Sequence, residues 1–65
     1  MNLSLSLAVD NGDWGVLAQI ASKKGSHSGQ PVNKIELELK AYIKTLNGLA
    51  LSSEEIKQKI LEWVL

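Results

Sequence analysis

Cysteine, phenylalanine and arginine are absent from this 65-residue chain, and each absence narrows what it can be. Without cysteine there is neither a disulfide nor a thiolate zinc site. Without phenylalanine the interior must be built from leucine, isoleucine, valine and alanine, helped only by Trp14, Tyr42 and Trp63. Without arginine the planar fork that reads guanine edges is missing. An excess of one charge is lacking too: 7 basic and 7 acidic residues cancel, which removes the long-range field that basic proteins use to find nucleic acid. His27 is the only histidine and has no neighbouring carboxylate, so no metal and no cofactor is expected. No apolar run approaches the ~20 residues of a membrane span. The apolar start, Met1 to Val9, has neither a basic n-region nor a small-residue cleavage site, so a cytoplasmic location is expected.

The hydrophobic fraction, 45%, is that of an ordinary globular domain. A chain this short buries only about 60% of the surface its unfolded form exposes, so residues 1–65 are expected to form a single helical domain. With disulfides and metal set aside, its stability must come from helix packing or from association.

Three breaks divide the chain: Asp10-Asn11-Gly12-Asp13, Gly25 to Pro31, and Asn47-Gly48 followed by Ser52-Ser53. The spacing predicts an all-α bundle of three to four short helices, over 3–10, 13–24, 31–46 and 53–64. Leu3-Ser4-Leu5-Ser6-Leu7 alternates like a half-buried strand, and the alternative is an N-terminal strand 3–9 followed by three helices. Helix is favoured because Asn11 or Gly12 suits a left-handed C′ position and Asp13 can cap the next segment at once. Residues 7–25 resemble the helix-turn-helix hairpin of an ankyrin repeat. That family's Thr-Pro-Leu-His opening is missing and the unit occurs once, so the resemblance implies a tight helical hairpin and no ankyrin function.

In the second segment Leu17, Ile20 and Ala21 have helical spacing, and Lys23 and Lys24 suit a helix C-terminus. Pro31 is expected as the first residue of the third helix. There Val32, Ile35, Leu39, Tyr42, Ile43 and Leu46 form one stripe, which predicts the central helix of the fold. Ser52 and Glu55 form a capping-box pattern opening the fourth helix, whose stripe is Ile56, Ile60, Trp63 and Val64.

No catalytic constellation emerges, and the chain is not expected to be an enzyme. His27, in Gly25-Ser26-His27-Ser28-Gly29, holds the place a nucleophilic serine would need, and reads as a solvated loop residue. Glu36/Glu38 and Glu54/Glu55 diverge on helices and read as solvated faces or caps. Apolar residues outside the core stripes are more informative. Leu37 and Ala41 lie opposite the stripe of the third segment, and Leu61 and Leu65 widen that of the fourth. With Trp63 as an aromatic anchor, these residues are expected to bind a protein partner or a second copy as a homodimer, in a regulator or inhibitor role, with no membrane and no small-molecule substrate. The alternative is a small DNA-binding regulator. Residues 14–46 loosely resemble a helix-turn-helix reader, which implies contacts from Lys23, Lys24, Ser28, Gln30, Asn33 and Lys34. The order of a strand 3–9 before helices likewise resembles ribbon-helix-helix dimers.

Overall fold

The computed structural model of the chain describes residues 3–23 and 27–65. These residues form four helices and no strand: α1 (Leu3–Asn11), α2 (Trp14–Lys23), α3 (Val32–Asn47) and α4 (Ser53–Val64). The alternative of a strand over 3–9 is therefore corrected to helix, and the cause lies at its end. The Gly12 amide donates to the Val9 carbonyl at 3.2 Å and the Asp13 amide to that of Ala8 at 2.9 Å. With Gly12 at φ 71°, these two bonds make a Schellman stop that only a preceding helix can supply. α2 starts at once, the Leu17 amide donating to the Asp13 carbonyl. Leu5, Ala8 and Val9 of α1 are buried in the core, which an alternating strand would not allow at positions 8 and 9 together.

Pro31 proves to be the N-cap of α3 rather than its first residue, with ψ 138°. α4 opens on the complete capping box, the Ser52 amide donating to Glu55 Oε1 at 3.0 Å and the Glu55 amide to Ser52 Oγ at 3.2 Å. Helix limits otherwise differ from the sequence expectation by one residue or so, the ordinary fraying of helix ends.

The core joins Leu17, Ala18 and Ala21 of α2, Ile35, Leu39 and Leu46 of α3, and Ile60 and Val64 of α4 to the three residues of α1. Tyr42, Ile43, Val32, Ile56 and Trp63 pack around it, so the apolar stripes of α3 and α4 face inward as their spacing dictates. The expectation that α3 is central is corrected. α2 and α4 each pack closely on all three other helices, whereas α3 does so on α2 and α4 and, among the described residues, its backbone does not come close to that of α1. α3 lies on the flank, and its outer side is left uncovered. The described helices include none long and apolar enough to cross a membrane.

Candidate functional site

Three surfaces are candidates: the outer face of α3, the outer face of α4, and a groove where the helix ends meet. On α3, Leu37 is 68% exposed and Ala41 is exposed beside it. Burying the opposite stripe forces this, because residues 37 and 39 lie about 160° apart around a helix. Lys34, Lys40 and Lys44 are exposed on the same helix. Glu36 pairs with Lys40 at 3.3 Å, and its carboxylate leans towards α2, 3.8 Å from where a side chain on Gly15 would begin.

On α4, Leu65 closes the helix and is 52% exposed, while Leu61 is half-buried against the core. Glu54, Glu55, Gln58, Lys59 and Glu62 line a shallow solvent-facing depression on this side. The Ser52 backbone amide, its hydroxyl and then nearby Lys59 hold the Glu55 carboxyl below its ordinary value, so it is firmly anionic at neutral pH.

Trp63 sits apart from both outer faces. Its ring stacks on His27 at 4.0 Å between centroids and lies 6.0 Å from Tyr42, and it is half-buried. His27 thus differs from the solvated loop residue expected of it. Its ring covers the indole, and its Nδ1 is buried without a hydrogen-bond partner among the described residues. The Gly29 amide donates to the Ser22 carbonyl and ties this loop to the end of α2.

The groove, about 420 Å³, was not foreseen because its lining comes from all four helices. Val9, Trp14, Ile43, Ile56 and Ile60 contribute its apolar side chains, and Asp10 and Lys57, paired at 2.9 Å, stand at it.

Of the residues proposed for DNA, Lys23, Ser28, Asn33 and Lys34 are exposed and Gln30 is half-buried; Lys24 lies outside the described residues. The connection from α2 to α3 spans residues 24–31, longer than the three or four residues, roughly, of a helix-turn-helix. Among the described residues no cluster of three histidine, aspartate or glutamate side chains could hold a metal ion. No protein-family model, no curated protein and no solved structure matches this chain.

Proposed function

We propose that this chain is a small, non-enzymatic protein-protein interaction module of regulator or inhibitor type, acting through the apolar outer surface of its helices, alone or as a homodimer. The observation that supports this most is Leu37. It is a large aliphatic side chain, two-thirds exposed, at the middle of a flanking helix with Ala41 beside it and no described element over it. Leu65 adds a second exposed aliphatic at the end of α4, while Leu61 and Trp63 are half-buried against the core. Single exposed leucines are common, but Leu37 and Ala41 stand side by side, one turn apart, amid charged neighbours, which gives a partner an apolar point of contact.

Affinity capture from the native host with the full chain as bait tests this. Recovery of one stoichiometric protein, or of the chain itself, is expected, and Leu37→Asp abolishes it while leaving helix content unchanged by circular dichroism. Recovery of nothing, together with a monomer at all concentrations, overturns the reading. Recovery of DNA in place of protein, lost on adding salt, favours the DNA-binding alternative through Lys23 and Lys34.

A further inference from the structure

The two outer helical faces of this chain carry opposite excess charge, Lys34, Lys40 and Lys44 against Glu38 on α3, and Glu54, Glu55 and Glu62 against Lys59 on α4. Taking Leu37 as the centre of the α3 face and about 100° per residue, Lys34, Lys40 and Lys44 fall within about 60°, whereas Glu36 and Glu38 lie about 100° away. Taking Gln58 as the centre of the α4 face, Glu54, Glu55 and Glu62 fall within about 60°, and Lys57 and Lys59 lie about 100° away. Glu38 on α3 and Lys59 on α4 are also exposed, so each face carries an excess of one sign rather than that sign alone. Glu36 is held on the α2 side, paired with Lys40, and Lys57 is turned to Asp10 of α1. Lys34 and Lys44 on one face, and Glu54 and Glu62 on the other, are exposed and have no ion-pair partner among the described residues. The lysine pair spans about 15 Å of helix and the glutamate pair about 12 Å, at 1.5 Å per residue. Each face also carries an exposed leucine, Leu37 on one and Leu65 on the other.

These faces cannot meet within one molecule, because α3 and α4 pack on each other through their inner stripes. We propose that the α3 outer face docks on the α4 outer face of a second copy of this chain. The inference rests on the contact reading above and names its partner. The charges select the partner and its orientation, and the leucines and Ala41, once removed from water, supply most of the affinity. One helix-on-helix contact is small beside the ~800 Å² per partner of a stable interface, so the association is weak and belongs to the micromolar range.

The test is sedimentation velocity of the full chain from about 5 to 200 µM, at roughly 50 and 500 mM salt. A dimer is expected at low salt, with a dissociation constant raised at least about tenfold at high salt. The double variant Lys34→Glu with Lys44→Glu, and the double variant Glu54→Lys with Glu62→Lys, are each expected to be monomeric with unchanged helix content. Mixing the two restores the dimer, since each variant then meets its opposite on both helices. A wild-type chain that stays monomeric at low salt overturns the proposal. So does a dimer indifferent to both reversals, or two variants that do not associate when mixed. If the chain is monomeric but captures a different protein in a Leu37-dependent manner, the second copy is excluded and the contact reading stands.

Discussion

Ser52 and Glu55 show how much of this fold is settled by single side chains. Their reciprocal bonds satisfy two amides at the start of α4 that would otherwise lack partners. Ser52→Ala is expected to cost about 1 kcal/mol in urea unfolding, or a melting temperature lower by about 4–8 °C for a domain this small. The Glu55 carboxyl, held below its ordinary value by the Ser52 amide first, gives this cap a pH dependence. Its contribution is fully present above the pKa of the unfolded chain and disappears as pH falls through the lower, folded value. In acid titrations followed by circular dichroism, Glu55→Gln is expected to show a shallower loss of stability over that window than the wild type. Trp63 and Leu37 should separate at this scale. Trp63→Ala loses the stacks on His27 and Tyr42 and is expected to cost about 2–3 kcal/mol, below the ~3–5 of an enclosed aromatic because Trp63 is only half-buried. Leu37→Asp, on the open face, should leave stability within about 0.5 kcal/mol and change only association.

At the scale of elements, each helix was legible where its signal is local. The inward stripes of α3 and α4 follow from periodicity, the start of α4 from its capping box, and the end of α1 from Gly12. What local pattern could not supply is which helix meets which. The broad stripe of α3 suggests a central position, yet the same width is used up against α2 and α4 together, and α3 stays on the flank. The stack of His27 on Trp63 joins residues far apart in the chain and leaves no trace in either segment. For the same reason the exposure of Leu37 could be read from its angle on α3, whereas the half-burial of Leu61 depends on neighbours that only the assembled bundle provides. α3 stops at Asn47-Gly48 as the sequence predicts, but the turn beyond it is not made by the glycine. Gly48 adopts an ordinary right-handed conformation at φ −81°, and the left-handed residue is Ala50, at φ 56°. A side chain there costs about 1–2 kcal/mol, against roughly 0.5–1 kcal/mol of extra chain entropy for glycine. Ala50→Gly is therefore expected to raise stability by up to about 1 kcal/mol in chemical denaturation.

For the whole molecule, zero net charge conceals an uneven distribution: exposed lysines outnumber Glu38 on α3, and exposed glutamates outnumber Lys59 on α4. A chain of 65 residues, with no disulfide, has little interior, and apolar groups on its flanks gain most by meeting another surface. Self-association would bind stability to concentration, so the melting temperature should rise with protein concentration at low salt. The most direct measurement is a dilution series followed residue by residue in amide NMR spectra at low salt. Shifts confined to the outer residues of α3, between Lys34 and Lys44, and of α4, between Glu54 and Leu65, are predicted. Spectra that do not change with concentration, or changes centred on the groove of Val9, Trp14 and Ile56, would contradict the pairing of the two faces.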